Sequence, residues 1–208
     1  MTVVSVKNQK GHLLEVVFSD GKSIFLERDY AAEEGIKAGL SLSGEEISDL
    51  LKESEYRRAK SRALWFLDRA DRTERVLKEK IVSGGISKEA AERAVVRLKE
   101  LGLVDDLRFA ENAYAHLLEQ NVSKRAAYQK LYGKGVPSDI IKQVLAEDTE
   151  TDEVSQVTAV IEKKYLNKLR AENGDKKTAA ALIRKGFSYA SVREALKKFR
   201  IETDFGED

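Results

Sequence analysis

Residues 132–140 read YGKGVPSDI and residues 183–191 read IRKGFSYAS, so Lys-Gly-apolar occurs twice, 51 residues apart. A Lys beside Gly can belong to a phosphate-binding loop, whose backbone N–H groups surround the phosphate oxygens, but that loop requires a longer Gly-rich run. Neither copy has such a run. The other interpretation is that each Gly ends a helix in the left-handed conformation and the next apolar residue folds back onto the last turn. This interpretation predicts a repeated helical unit.

The same pattern occurs three times, with a period of about 50 residues. Aligning Gly85, Gly135 and Gly186 also aligns apolar residues before and after each Gly. The aligned residues are Ile81, Leu131 and Leu182 before the Gly and Ile86, Val136 and Phe187 after it. Short polar residues that favour helix N-termini precede the helices, and Pro137 fits a first turn. These capping residues are Thr73, Ser87, Ser123, Asp175 and Ser188. Leading helices at about residues 55–69, 105–120 and 152–172 complete three helices in each unit.

The N-terminal segment has a different pattern. The runs TVVSV, LLEVVF and SIFL read as strands, and Asp20-Gly21 between the last two is a hairpin signal. Two or three strands are not stable alone, so we expect them to pack on a helix beginning near Asp29 or on the body that follows. From Glu45 to about Ala70 the apolar spacing predicts one long helix or two in succession, with Ser43 and Glu46 as a capping box.

We therefore expect a mainly α protein with tandem three-helix repeats and a small N-terminal β-hairpin unit. The predicted boundaries are residues 1–54 for the β unit with its helix, and 55–104, 105–148 and 149–208 for the three repeats, the last with an acidic tail. Since each repeat shares its core with its neighbours, such arrays tend to be elongated and curved, and we expect that shape here.

Composition excludes several classes of function. The 208 residues contain no Cys and two His, which excludes disulfides and makes a zinc site improbable. The first residues lack the apolar region and cleavage site of a signal peptide, and no run reaches the roughly 18 apolar residues of a membrane span. We expect a cytoplasmic protein.

Charge is distributed unevenly along the chain, although its net value is +1. Residues 1–54 carry six Lys or Arg against ten Asp or Glu. Residues 57–80 carry nine against four, and residues 163–200 carry twelve against three. Such blocks attract a polyanion or an acidic protein face even in a molecule that is nearly neutral overall.

The stretch GLVDDLRFAENAY at 102–114 resembles the RecX family of RecA regulators, together with ALWFLDRADRTERVLKEKI before it and KRAAYQKLYGKGVPSDIIKQVL after it. The resemblance covers residues 57–147 and extends more loosely over the third repeat. The matching residues are Ala63, Leu64, Leu67, Arg69, Leu98, Gly102, Leu103, Asp105, Asp106, Phe109, Ala110, Leu131, Lys134, Gly135 and Val136. Asn121 stands where the family often has Gly, and Asn can also adopt the left-handed form.

The resemblance implies a bacterial, non-catalytic protein that binds the RecA nucleoprotein filament in its helical groove. It also implies restraint of recombination, ATP hydrolysis and SOS induction. A groove-binding monomer without a cofactor is the simplest expectation. A sequence-nonspecific DNA-binding module that acts without a protein partner is the alternative, and an enzyme acting on nucleic acid would need a metal or nucleophile constellation that the sequence does not contain.

The candidate binding residues fall in the two basic blocks. Arg58, Arg62, Trp65 and Arg69 are spaced to lie on one side of a helix, where Arg pairs with phosphate or carboxylate and Trp offers a flat face to a base or a protein. The equally open alternative places Trp65 in the core and leaves the Arg residues merely solvated. The further candidates are Arg57, Arg72, Lys134, Lys176, Lys177, Arg184, Lys185, Lys197 and Lys198.

Asp105 and Asp106 form a pair of carboxylates that can hold a metal or act as acid and base. They also fit a helix N-terminus, where a carboxylate accepts free N–H groups and meets the positive end of the helix dipole. We favour the helix N-terminus, because no His or further carboxylate joins them at ligand spacing.

Overall fold

The structure is a computed structural model that describes the backbone of residues 1–204 and the side chains of residues 1–199. In that part of the chain it contains eleven helices and one three-stranded sheet, which confirms the mainly α class. The chain divides into two units, Met1–Asp105 and Asp106–Asp208. The predicted acidic tail lies at 201–208, outside the residues whose side chains are described.

The N-terminal sheet is antiparallel, with strand order β1-β2-β3. The strands are β1 (Val3–Gln9), β2 (Leu13–Phe18) and β3 (Ser23–Glu27). The predicted hairpin is confirmed: the Phe18 N–H donates to the Lys22 carbonyl at 2.9 Å, and Gly21 has a φ of 83°. Helix α1 (Arg28–Glu33) follows β3 directly and supplies Tyr30 and Ala31 to the core beneath the sheet.

A single continuous helix, α2 (Gly44–Leu67), occupies the segment where the sequence allowed one helix or two. It ends at Leu67, so the expected extension to Ala70 is wrong. The capping box at its start is confirmed, with Ser43 and Glu46 each accepting the other's backbone N–H. The first half of α2 packs Ile47 and Leu50 beneath the sheet, and its second half contributes to a different core.

That second core is formed with α3 (Glu74–Val82) and α4 (Lys88–Glu100). The two helices begin at the predicted caps, since the Thr73 hydroxyl accepts from the Val76 N–H and the Ser87 hydroxyl from the Ala90 N–H. Small side chains on α2 allow α3 and α4 to approach it closely. The main core residues are Ala59, Ala63, Leu77, Ile81, Ala94, Val95 and Leu98.

The second unit contains two further three-helix cores. The first is built from α5 (Asp106–Glu119), α6 (Lys124–Gly133) and α7 (Ser138–Glu147). The second is built from α8 (Glu153–Lys164), α10 (Gly174–Arg184) and α11 (Tyr189–Asp204), with the short α9 (Leu166–Leu169) between α8 and α10.

The third repeat departs from the sequence-based expectation at two places. Its leading helix, predicted to reach residue 172, breaks at Tyr165 into α8 and α9. The prediction that Asp175 caps α10 is wrong, because the helix begins at Gly174 after Asn173 in the left-handed conformation, with a φ of 57°. Gly174 lies so close to the carbonyl of Lys168 that a Cβ there would collide with it. This tight reversal moves the helix cap from the predicted Asp175 to Asn173, two residues earlier.

The repeated Lys-Gly-apolar motif ends helices, as predicted. Gly85, Gly135 and Gly186 have φ values of 81°, 92° and 91°. After Gly135 and Gly186 the N–H of the apolar residue donates back over the last turn, from Val136 to Leu131 at 3.2 Å and from Phe187 to Leu182 at 3.3 Å. Asn121 makes the same kind of turn with a φ of 52°. The helix-cap interpretation is confirmed, because these bonds satisfy the last helical carbonyls.

No helix in residues 1–204 is both long and apolar enough to span a bilayer.

Candidate binding surfaces

Trp65, the only Trp in the chain, lies near the end of α2 with 53% of its surface exposed. The interpretation that placed it in the core is therefore wrong. It packs edge-on against Phe66, with the ring centroids 5.0 Å apart. A large exposed aromatic ring on a rigid helix offers a stacking or docking face at little entropic cost, which is typical of binding surfaces.

The Arg69 guanidinium covers one face of that ring. Its Cζ lies 3.5 Å from the Trp65 ring centroid, and Nη1 donates to the Trp65 carbonyl at 2.8 Å. Because α2 ends at Leu67, Arg69 lies in the following turn rather than on the predicted helix face, and it folds back onto the helix end. The two contacts hold Trp65 and Arg69 together as one unit.

A second cation and aromatic cluster lies beside it. The Arg62 guanidinium is 5.6 Å from the Phe66 ring centroid, and the Lys80 ammonium of α3 is 5.3 Å from the same ring. The Arg62 side chain also occupies the space that a Cβ on Gly84 would fill. Gly84 therefore makes room for Arg62, a role separate from that of Gly85, which supplies the positive φ at the helix end.

The remaining Arg candidates of the first unit differ in their partners. Arg57 is engaged inside the unit: it pairs with Glu33 at 2.6 Å and lies over the Tyr30 ring. The hydrogen bond to Glu33 raises its pKa further, so Arg57 is a structural cation. Arg58 and Arg72 are half-buried, and Arg72 Nε has no hydrogen-bond partner in the described part of the chain.

We define the α2 patch as Arg58, Arg62, Trp65, Phe66, Arg69 and Lys80. Among the residues with described side chains, no carboxylate lies within 4.0 Å of the four cations in this patch. Sequence spacing identified the three Arg residues and the Trp, but it did not identify Phe66 or Lys80. Lys80 is on another helix, and only packing brings it to Phe66.

The structure distributes the candidate Lys and Arg residues of the third repeat over several surfaces. Arg184 and Lys185 lie at the end of α10, on the rim of a groove. Lys176 and Lys197 line a separate concavity of about 320 Å³, where Lys197 pairs with Glu194 at 3.0 Å. The other candidates are also exposed: Lys177 donates to the Glu172 carbonyl, Lys198 lies on α11, and Lys134 follows α6.

A partly buried hydrogen-bonded cluster holds the segment between α7 and α8. The Tyr114 hydroxyl donates to Asp148 Oδ2 at 2.6 Å, and Lys124 Nζ lies 3.2 Å from the same oxygen. Burial alone would raise the pKa of Asp148, but hydrogen bonds from Tyr114, Thr151 and Lys124 lower it to about 2. Burial, and then the bond to Asp148, raises the pKa of Tyr114, so the phenol stays protonated.

A carboxylate from the leading helix caps the third helix in two of the repeats, a feature that the sequence analysis missed. Glu55 accepts from the Ser87 N–H at 2.9 Å and from the Ser87 hydroxyl at 2.7 Å. Glu153 accepts from the Ser188 N–H at 3.2 Å and from the Ser191 hydroxyl at 2.6 Å. The available signal was a Glu near the start of the leading helix, just over 30 residues before a Ser cap.

Asp106 lies in the first turn of α5, where its negative charge is stabilised by the positive end of the helix dipole. Among the side chains described, no group of three or more His, Asp or Glu is placed to hold a metal ion. The described residues define a class of protein built from three-helix units, with cationic and aromatic groups on its surfaces.

Comparison with known proteins finds similarity to RecX proteins. Residues 59–98 match a sequence model described as RecX, first three-helix domain. Regulatory protein RecX of Streptococcus sanguinis (strain SK36) is 26% identical over 199 residues, which cover 95% of this chain and 76% of that protein. Regulatory protein RecX of Clostridium perfringens (strain SM101) is 27% identical over 203 residues, covering 95% of both. The chain is therefore similar to regulatory proteins named RecX over nearly all of its length.

Solved structures share the fold. A crystal structure of regulatory protein RecX aligns with a TM-score of 0.69 at 19% identity, covering 94% of this chain and 98% of that one. RecX from Lactobacillus salivarius aligns with a TM-score of 0.64 at 21% identity, covering 71% of this chain and 97% of that one.

Proposed function

We propose that this protein is a non-enzymatic regulator that binds the RecA nucleoprotein filament and mainly inhibits its recombinase and ATPase activities, in DNA repair and the SOS response. The observation that carries the proposal is the α2 patch: an exposed Trp held by an Arg, with further cations that have no carboxylate partner among the described side chains, in a chain similar to RecX proteins. Such a patch suits an acidic protein face or phosphates in the filament.

The proposed mechanism is occupancy of the filament. The α2 patch presents an aromatic ring beside guanidinium groups that are already oriented by contacts with Trp65 and Phe66. Little ordering is needed when a partner binds, so contacts with a partner are not offset by large entropic losses. A regulator seated on the filament hinders subunit closure or growth without any chemical step.

The test is ATP hydrolysis by the cognate RecA on single-stranded DNA, with this protein added below the RecA concentration. We expect the wild-type protein to suppress hydrolysis. We expect Arg62→Glu/Arg69→Glu to lose most of that suppression, because reversal removes attraction and introduces repulsion at the patch. The matched control is Lys7→Glu/Lys10→Glu, which makes the same change in net charge at exposed positions of the N-terminal sheet region. Equal loss in both variants would show that net charge alone acts.

A second candidate function is sequence-nonspecific DNA binding without a protein partner. The accumulation of cations in the second unit favours it, since phosphate contacts are independent of base sequence. Tight binding to bare DNA together with unaltered RecA hydrolysis would select this function over the first.

A further inference from the structure

A groove of about 460 Å³ lies within the second unit, between α6, α8 and α10. Five cations line it: Lys130 from α6, Lys163 and Lys164 from α8, and Arg184 and Lys185 from α10 and its end. All five are exposed. We call this the α6–α8–α10 groove.

Its charge is not compensated within the described part of the chain. None of the five cations has a carboxylate within 4.0 Å. Glu119 is the one acidic residue in the lining, and its Oε2 lies 3.3 Å from His116 Nδ1. A concave surface lined by one sign of charge focuses the electrostatic potential and concentrates ions of the opposite sign.

Buried contacts fix the two sides of the groove. The Ser123 hydroxyl, at the start of α6, donates to the Lys185 carbonyl at 2.8 Å. Gly186 follows, and its lack of a Cβ allows the backbone to approach Ser123. Phe187 and Val160, both buried, support the lining. The cations of α10 are therefore held close to those of α6 before any ligand arrives.

The hydrogen-bonding character of the lining selects the ligand. Lys and Arg side chains only donate, so the five cations present donors, and the acceptor side chains of the lining are confined to residues 119–123. A phosphodiester backbone offers only acceptors, whereas an acidic peptide also brings backbone N–H groups that these cations cannot satisfy. The volume is that of a small-ligand pocket, too small to enclose a duplex.

We propose that the α6–α8–α10 groove binds a short run of phosphodiesters from a single nucleic acid strand. Phe187 is buried, so the groove recognises charge and backbone rather than stacked bases, and binding is independent of sequence. The inference rests on the proposed function only in taking nucleic acid as the macromolecule. Binding in the groove is measured without RecA, so this proposal can fail while the proposed regulation of RecA holds. The regulation of RecA can likewise fail while binding in the groove holds.

The experiment measures binding of the full chain to a fluorescein-labelled oligodeoxythymidylate by anisotropy at several salt concentrations. The test variant is Lys130→Ala/Lys163→Ala/Lys164→Ala, and its matched control is Lys7→Ala/Lys37→Ala/Lys142→Ala, with the same loss of charge at exposed positions outside the groove. Each lost phosphate contact on a single strand lowers the slope of log affinity against log salt by about 0.7, so the test variant should lose about 2. The control should keep the wild-type slope.

Competition decides the chemistry of the ligand. We expect the unlabelled single strand to displace the probe at lower concentration than a duplex of equal length or poly-glutamate. The proposal is overturned if the test variant keeps the wild-type affinity and slope, or if the control loses as much as the test variant. It is also overturned if duplex or poly-glutamate competes as well as the single strand. Circular dichroism of both variants checks that the fold is retained.

Discussion

Gly186→Ala tests why the second Lys-Gly-apolar motif requires Gly. The residue has a φ of 91°, in the left-handed region that L side chains rarely adopt. Placing a Cβ in that conformation costs about 1–2 kcal/mol by itself. If the helix end required Gly only for its positive φ, the substitution would lower the free energy of unfolding by this amount and no more.

Gly186 carries a second constraint. A Cβ there would lie 2.7 Å from Ser123 Oγ, 3.2 Å from Arg125 Cβ and 3.3 Å from the Ala126 nitrogen. The hydroxyl cannot move freely, because it donates to the Lys185 carbonyl and accepts from the Ala126 N–H. Displacing it leaves buried polar groups unpaired, which costs about 1–3 kcal/mol. The substitution should therefore destabilise the protein by about 2–5 kcal/mol in total.

The control is Gly85→Ala, at a residue with a φ of 81° and no atom within 4 Å of the added Cβ. It should show the conformational cost alone, about 1–2 kcal/mol. Urea denaturation followed by circular dichroism gives both free energies of unfolding. The expected result is a clearly larger loss for Gly186→Ala than for Gly85→Ala.

A double-mutant cycle isolates the close approach. Ser123→Ala removes the oxygen that the new Cβ would meet, so Gly186→Ala should cost less in that background than in the wild type. Equal costs in the two backgrounds, or equal costs at Gly85 and Gly186, would refute the argument that contact with Ser123 requires Gly.

Substitutions at three other residues test contacts inside the two units. Tyr114→Phe should lower the free energy of unfolding by about 1.5–3 kcal/mol at pH 7, because it removes a hydrogen bond to a charged group. The folded pKa of Asp148, about 2, is below its ordinary value of 3.8, so its stabilisation is present above pH 3.8 and is lost as pH falls towards 2. The loss in free energy of unfolding caused by Tyr114→Phe, measured in urea melts, should shrink as pH falls from 3.8 towards 2. A loss that stays constant over this range would contradict the hydrogen bond from Tyr114 to ionised Asp148. Glu55→Ala should cost about 1–3 kcal/mol because the Ser87 N–H and hydroxyl lose their acceptor, and Glu55→Gln should cost less in the same melts. Trp65→Ala should lower the free energy of unfolding by about 1 kcal/mol or less, because the ring is exposed. A decrease of about 3 kcal/mol or more would instead indicate that the ring is buried in the core.

Most helix N-termini were well predicted because their caps depend on bonds between residues close in sequence. The caps at Ser43, Thr73, Ser87 and Ser123 each act on an N–H three residues ahead. The exception is Asp175, where a reversal at Asn173 and the nearby carbonyls of α9 decide where α10 starts. Those carbonyls reach the helix only after the chain has folded, so a local pattern could not reveal them.

The binding surfaces were less predictable. The spacing of Arg62, Trp65 and Arg69 was readable along the chain, but the sequence did not reveal that Arg57, a further candidate, pairs with Glu33. Lys130 was not identified, although it lies in the same groove as Arg184. An ion pair or a groove forms between side chains that are close in space, and these come from different helices.

The sequence by itself determined the repeated helix-ending Gly, most of the caps and the hairpin turn, because backbone hydrogen bonding and φ preferences act over a few residues. Only the tertiary structure decided which cations are compensated, that Trp65 is exposed beside Arg69, and that five cations of the second unit share one groove. The physical reason is that charge pairing and burial depend on distance through space, which is set when the helices pack.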